Sequence, residues 1–118
     1  MKRVSLLAIF FLAFACTGPK TTYDWGTHDE RFYDLMKDPA KLEAYGQSLR
    51  ALIESHPDGR RLPPGICAEY GFILLSAGRP NEAEPFFLLE KKYWPESSQL
   101  MDRMVTNCRT KSTKQVSL

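Results

Sequence analysis

The sequence predicts an all-α fold of two helical hairpins followed by a C-terminal capping helix. Apolar residues recur at steps of three and four in successive segments, which is the period of an amphipathic helix. No segment shows the strict alternation of apolar and polar residues that is typical of a half-buried strand. The helical segments are separated by turn and helix-stop signals, which include Pro57-Asp58-Gly59, Gly78 and Pro95.

Start signals predict the first two helices. Thr27 with Glu30 three residues later has the form of a capping box, so we expect a short helix to about Lys37. Asp38 followed by Pro39 is a second start signal, an acidic N-cap and a proline at the first helical position. The helix after it is expected to turn one apolar face to the core, formed by Leu42, Tyr45, Leu49, Leu52 and Ile53.

Proline positions predict the limits of the next two helices. We expect a third helix from about Pro64 to Ala77 and a fourth from Pro80 to Pro95. Pro85 lies beyond the first turn of the fourth helix and removes a backbone hydrogen bond. It is therefore expected to bend this helix or to delay its start.

A last helix is expected to begin at Ser97 or Ser98, either of which can cap it, and to end near Cys108. The helical domain then spans residues 25–108. Residues 109–118 carry a small basic cluster and are expected to form a flexible tail.

The third and fourth helices fit the tetratricopeptide repeat, a helical hairpin of about 34 residues. With Pro64 at the first position, Gly71 and Ala83 occupy the small positions where the two helices approach, and Phe87 fills the hollow between them. The first two helices fit more loosely, because Tyr45 stands at the alanine position and should hold the helices farther apart. A generic helical hairpin without a repeat relation is the alternative for both pairs.

The N-terminus resembles a bacterial lipoprotein signal. A basic start and a short apolar run ending at Ala15 precede Cys16. We expect residues 1–15 to be removed, Cys16 to receive lipid, and residues 16–24 to form a tether. The apolar run is too short for a spanning helix, which needs about 20 residues. An ordinary cleaved signal with an incidental cysteine is the alternative.

The lipoprotein resemblance also implies a location. Thr17 stands where an aspartate would retain a lipoprotein at the inner membrane. We therefore expect the protein at the outer membrane, lipid-anchored on its periplasmic face. The covalent lipid on Cys16 is the only cofactor expected.

Charge and cysteine content narrow the function. The chain has 16 basic and 14 acidic residues, and the signal holds two of the basic ones, Lys2 and Arg3. The remainder is formally neutral, which disfavours nucleic-acid binding, since that needs a basic stripe.

The repeat frame sets Cys67 and Cys108 about 10 Å apart along parallel helices, beyond the roughly 7 Å a disulfide allows. Two free, largely buried thiols are predicted.

No pattern of catalytic or metal-binding residues emerges from the sequence. His28 and His56, the only histidines, fall in different elements without a paired ligand spacing, so no metal site is expected. Glu69 and Tyr70 are neighbours on a helix and point in different directions, so Glu69 is interpreted as a structural or solvated residue. Phosphate-binding loops, nucleophile elbows and Ser/His/Asp arrangements are missing from the sequence. We expect a protein that is not an enzyme.

The two tryptophans admit two interpretations. Trp25 and Trp94 are large aromatic residues, which favours burial in the core for both. The alternative is that either of them anchors an interface, where tryptophan is enriched.

Several stretches together form a family pattern: Tyr23-Asp24-Trp25-Gly26, Phe32-Tyr33, the run from Pro63 to Gly71, Tyr93-Trp94-Pro95-Glu96-Ser97, and Met101-Asp102. The pattern resembles the bacterial lipoproteins of domain-of-unknown-function family 4810. Members of that family have tyrosine in place of Cys67 and no proline in place of Pro85. The family is similar in genetic setting to lipoproteins of curli-secretion type. The resemblance thus implies an accessory envelope role, and it implies no activity.

These observations predict a membrane-anchored envelope lipoprotein that acts as a protein-interaction adaptor or accessory factor for an envelope assembly or secretion system. Its expected partners are the membrane, through the lipid, and an envelope protein, other lipoproteins included. The alternative is a structural subunit of an outer-membrane-associated complex without a separate ligand groove. In tetratricopeptide-like folds the first helix of each pair lines a concave groove. Six residues are expected to line it here: Glu30, Asp34, Lys37, Ala68, Phe72 and Ser76.

Overall fold

The structure is a computed structural model, and it describes residues 22–117. Cys16, the signal segment and most of the tether lie outside these residues. Two short 3₁₀ turns, Pro39–Lys41 and Pro95–Ser97, precede the second and the fifth helix. The predicted all-α class and five-helix order are confirmed within the described range: α1 His28–Lys37, α2 Leu42–Glu54, α3 Ile66–Ser76, α4 Pro80–Tyr93 and α5 Ser98–Val116.

The hydrophobic core lies between α2, α3, α4 and α5, whereas α1 has no buried residue. A Cβ atom added to Gly71 would lie 2.9 Å from Cε1 of Phe87, so only a glycine lets α3 approach α4 this closely. Ala83 and Phe87 are completely buried beside it. The close approach at Gly71 and the burial of Ala83 and Phe87 agree with the expected packing, and the repeat relation itself stays a prediction. The core includes Tyr45, Leu49, Leu74, Met101 and Val105.

Helix starts differ from the predicted caps at two places. Thr27 makes no side-chain cap hydrogen bond, so the predicted capping box is wrong. Asp38 does accept a hydrogen bond from the N–H of Ala40 at 3.0 Å, and this cap opens the 3₁₀ turn before α2. The hydroxyl of Ser97 donates to the carbonyl of Trp94 at 2.7 Å instead of capping α5. The helix α4 starts at Pro80 and runs through Pro85, so the delayed start is also wrong.

The last helix continues beyond Cys108, so the boundaries predicted for the helical domain and the tail are wrong. Residues 109–116 belong to α5, which ends at Val116. Three polar contacts hold this extension against the first half of α4 and the turn before it. Arg109 Nη2 lies 2.7 Å from Glu84 Oε1, the Ser112 hydroxyl donates to Asn81 Oδ1 at 2.6 Å, and the Gln115 amide donates to the Gly78 carbonyl at 3.0 Å.

A buried carboxylate from α4 caps the N-terminus of α3. Glu90 accepts a hydrogen bond from the N–H of Gly65 at 2.7 Å and lies 3.4 Å from the N–H of Ala68. Gly65 has a φ of +94°, a conformation that favours glycine, and no local side chain caps the helix. Burial raises the pKa of Glu90 and outweighs the opposing effect of the backbone hydrogen bonds. Glu90, a residue of the next helix, therefore stabilises the turn at Gly65 within the Pro63–Gly71 run.

The two cysteines of the described range, Cys67 and Cys108, are free and buried, as predicted. Burial raises the pKa of Cys67 to about 12 and also raises the pKa of Cys108. Among residues 22–117, no helix has both the length and the apolar character that crossing a bilayer would require.

Candidate interaction groove

An open apolar groove lies between α1 and α3, with α2 contributing to its lining. Its volume is about 490 Å³, with its solvent-open side included. Three of its apolar side chains are partly exposed to solvent: Phe32 to 43%, Leu42 to 44% and Phe72 to 40%. We call it the α1–α3 groove, and its lining residues are Phe32, Leu35, Leu42, Tyr45, Glu69, Phe72, Ile73 and Ser76.

Helix periodicity explains why these residues share the groove. Phe32 and Leu35 are three residues apart on α1 and so lie on one face of that helix. On α3, Glu69, Phe72 and Ser76 follow at steps of three and four and form a second stripe. The Phe72 ring also makes an edge contact with the buried ring of Phe87 on α4, at 5.3 Å between centroids. The groove thus has one wall anchored to the core and one wall on α1.

A polar cluster of three side chains joins α1, α2 and α3 at this groove. The hydroxyl of Tyr45 donates to Glu69 Oε1 at 2.6 Å. His28 Nε2 lies 3.0 Å from the Tyr45 oxygen and 3.2 Å from Glu69 Oε2. Because the single hydroxyl proton of Tyr45 goes to Glu69, Nε2 of His28 can hydrogen-bond to either oxygen only as the donor. Glu69 is therefore a structural hydrogen-bonding residue, one of the two interpretations left open by the sequence.

Burial of Tyr45 keeps the phenol of this cluster protonated. Burial first, and then the hydrogen bond to Glu69, raise the pKa of Tyr45. The phenol therefore stays protonated and remains a donor across the physiological pH range. Tyr45 is the residue at the alanine position of the repeat frame, so the departure seen in the sequence marks the centre of the cluster.

Aromatic rings surround His28 at the start of α1. Its ring stacks on Phe32 with centroids 6.1 Å apart, and it lies 5.5 Å from Trp25 and 5.8 Å from Tyr45. Trp25 is exposed, so its predicted core position is wrong. Trp94 is partly buried, and its ring makes an edge contact with Tyr23 at 5.6 Å.

The structure places two of the six predicted groove residues, Phe72 and Ser76, in the lining. Ala68 is buried with its N–H against the Glu90 carboxylate, so it cannot line an open groove. The three acidic and basic residues predicted on α1 also lie outside the lining: Glu30, Asp34 and Lys37.

One physical reason explains why these three α1 residues lie outside the groove lining. The repeat template fixes their positions along the chain but not the rotation of α1 about its axis. The groove face of α1 is formed by Phe32 and Leu35. Each of the three predicted residues is two positions from one of these, a spacing at which side chains do not share a helix face. Lys37 instead lies 4.0 Å over the ring of Tyr33 on the exposed side of the helix.

Within residues 22–117, no group of three or more histidine, cysteine, aspartate or glutamate side chains is arranged to hold a metal ion. We take the α1–α3 groove with its adjoining polar cluster as the candidate site, because it combines partly exposed apolar side chains with hydrogen-bonded polar ones.

The fold and the site define a small helical-hairpin protein with an open apolar groove. Residues 22–104 match a family described as "Domain of unknown function (DUF4810)". The match covers most of the chain, so the chain belongs to this family, and the resemblance found in the sequence is confirmed. No curated protein and no solved structure is significantly similar to it.

Proposed function

We propose that this protein is a lipid-anchored envelope lipoprotein, not an enzyme, that acts as an adaptor. The lipid on Cys16 holds it at the periplasmic face of the outer membrane, and the α1–α3 groove binds a segment of another envelope protein. The groove supports this proposal most directly. It gathers Phe32, Leu42 and Phe72, three large apolar side chains that stay partly exposed in the isolated chain. Contiguous exposed apolar surface of this kind marks interaction sites.

The anchor makes a modest groove affinity sufficient. A protein confined to one membrane face meets other proteins on that face at a high effective concentration. The basic start, the apolar run and Cys16 support the anchor. A lipidated cysteine carries more than one acyl chain in the lipoprotein family, and two chains suffice for stable anchoring.

A second candidate function is that of a structural subunit in an envelope complex. It is favoured by Leu88 on α4 and Leu100 on α5, which are exposed and lie outside the groove. A subunit embedded in a larger assembly would cover these side chains as well as the groove.

Photo-crosslinking in cells tests the adaptor against the subunit. The full chain, expressed in a bacterial host, carries a photoreactive phenylalanine analogue at Phe72, at Leu88 or at the exposed Thr110. The adaptor predicts a specific adduct with one envelope protein from Phe72 alone. Equal adducts from Phe72 and Leu88 would favour the subunit, and no adduct from Phe72 would contradict the proposed groove.

Metabolic labelling with palmitate tests the anchor separately. Wild-type protein should take up the label and fractionate with the membrane, and Cys16→Ala should do neither. The Cys67→Ala variant is the matched control, because Cys67 is buried and should leave labelling unchanged. Wild-type protein without label would refute the lipid anchor.

A further inference from the structure

We propose that the groove selects a membrane-proximal protein segment whose apolar side chains flank one lysine or arginine, and that this cation pairs with Glu69. The inference rests on the proposed function, because it takes the groove as the partner site. It specifies the chemistry of the partner, which the adaptor role alone leaves open.

The charge of the groove supports this specificity. Among residues 22–117, Glu69 is the only charged residue that lines the groove. Its side chain is 34% exposed. Tyr45 donates to one of its oxygens and His28 contacts the other, and an ionised carboxylate can accept about four hydrogen bonds. Acceptor capacity therefore remains for a donor that comes from the groove.

An entirely apolar occupant would be penalised at this position. Covering Glu69 with an acyl chain or with leucine side chains would remove water from the carboxylate and supply no new donor. The part of the lining that the structure describes offers no lysine or arginine to compensate. A cation on the occupant supplies the missing donor and the opposite charge, so it converts a desolvation cost into a charge-assisted hydrogen bond.

The tether places the groove near the membrane. The eight residues before Asp24, residues 16–23, can span at most about 28 Å. The chain is then fixed to the domain at Asp24, whose N–H donates to the Arg61 carbonyl at 2.7 Å and whose carboxylate lies 3.4 Å from His56 Nε2. The helix α1 starts four residues later and is only about 15 Å long. The occupant must therefore lie within a few tens of ångströms of the bilayer.

A set of designed peptides tests the selection. The probes are amphipathic helices of about 18 residues with a leucine face and a central lysine, and matched peptides carry glutamate or leucine at that one position. Binding is measured by fluorescence anisotropy to the lipidated protein in phosphatidylcholine nanodiscs, with protein-free nanodiscs subtracted. The lysine peptide should bind the wild-type protein at least about tenfold more tightly than either matched peptide.

Variants locate the preference. Glu69→Gln should abolish the preference for lysine. Glu54→Gln is the matched control, because Glu54 is an exposed acid at the end of α2 and should leave the preference intact. Phe72→Ala should weaken the lysine and leucine peptides alike. The comparison of the three peptides on the wild-type protein needs no variant. It therefore tests the inference even if Glu69→Gln loosens α1.

Several outcomes would overturn the inference. These are equal binding of the three peptides, no binding of any of them, or a lysine preference that persists in Glu69→Gln. Displacement of the lysine peptide by low concentrations of a fluorescent fatty acid would assign the groove to lipid instead. Failure here is distinguishable from failure of the proposed function, because palmitate labelling and the Phe72 adduct do not depend on the peptide charge.

Discussion

The two helical hairpins, which the sequence predicts to share one repeat frame, are held together differently. Between α3 and α4, Gly71 and Ala83 let the backbones approach, and Phe87 fills the remaining space without exposure. Between α1 and α2, the position of Ala83 is taken by Tyr45, and α1 has no buried residue. Tyr45 is buried, and the groove beside it is open. The same residue supplies the hydroxyl that ties α1 to α2 and α3.

This difference separates stability from binding. The second hairpin is stabilised by buried apolar area, which contributes roughly 25 cal/mol for each Å² removed from water. In the first hairpin, α2 contributes buried residues to the core, whereas α1 is attached by the partly buried Leu35, by the Phe32 ring against Tyr45 and by a few polar contacts. Each hydrogen bond of this kind has a net worth of about 1 kcal/mol. We expect α1 to be the least stable of the five helices, as elements that bind partners commonly are.

The largest expected effect on stability comes from removing the Phe87 ring, which lies between α3 and α4. Phe87→Ala should lower the free energy of unfolding by about 3–5 kcal/mol, because it leaves a cavity in the core. Phe72→Ala is the matched control, since its ring is partly exposed in the groove, and it should cost far less. Denaturant titration of both variants measures the difference. Similar losses of stability in the two variants would show that the groove face of α3 is packed as tightly as its contact with α4.

A pair of glycine substitutions tests the close approach itself. Gly71→Ala should destabilise the protein, because the new Cβ would lie 2.9 Å from the Phe87 ring. Gly46→Ala should stabilise it by up to about 1 kcal/mol, because its Cβ would be 3.7 Å from the nearest atom and alanine favours a helix. Overpacking by Gly71→Leu or Ala83→Leu should cost about 1–3 kcal/mol. Unchanged melting temperatures for both leucine variants would refute the packing.

Glu90 gives the next effect, and it depends on pH. Glu90→Ala leaves the N–H groups of Gly65 and Ala68 without an acceptor and should cost about 1–3 kcal/mol. Since burial raises the pKa of Glu90 above 4.5, the native state binds this proton more tightly than the unfolded state. The contribution of Glu90 to stability should therefore fall as pH rises above about 4.5.

Unfolding curves between about pH 4 and pH 7 measure this contribution. The slope that is due to Glu90 should be missing in Glu90→Ala and present in the control Glu54→Ala. The opposite sign of slope would mean that the backbone hydrogen bonds outweigh burial.

The smallest expected effect belongs to the polar cluster. Tyr45→Phe keeps the buried ring and removes the hydroxyl that donates to Glu69, so it should cost about 1 kcal/mol. Tyr33→Phe is the matched control, because the Tyr33 side chain is exposed, and it should leave stability unchanged. If Tyr33→Phe lost as much stability as Tyr45→Phe, the polar cluster would not be the source of the loss.

Local signals made most of the fold predictable. Proline, glycine and helical periodicity act within a few residues, which is why the five helices and the contacts of Gly71 and Phe87 follow from the sequence. The end of α5 could not be predicted in this way, because Arg109 and Gln115 bond to residues 25 and 37 positions away. The cap that Glu90 supplies to α3 is equally remote in sequence.

The site was predicted less well than the fold. A repeat template assigns positions along the chain, whereas a groove depends on how each helix is rotated. Of the residues expected on α3, Phe72 and Ser76 lie in the lining and Ala68 does not, and none of the three expected on α1 lies there. The unusual Tyr45 was the one sequence signal that pointed to the cluster, but its partners His28 and Glu69 lie 17 and 24 residues away.

Native-state hydrogen exchange tests the contrast between the hairpins most directly. The account predicts that backbone amides of α1 exchange through a local opening of low free energy, whereas those of α4 exchange only with global unfolding. It also predicts that Tyr45→Phe lowers protection in α1 and leaves α4 unchanged. Equal protection of α1 and α4 in the wild-type protein would contradict the account.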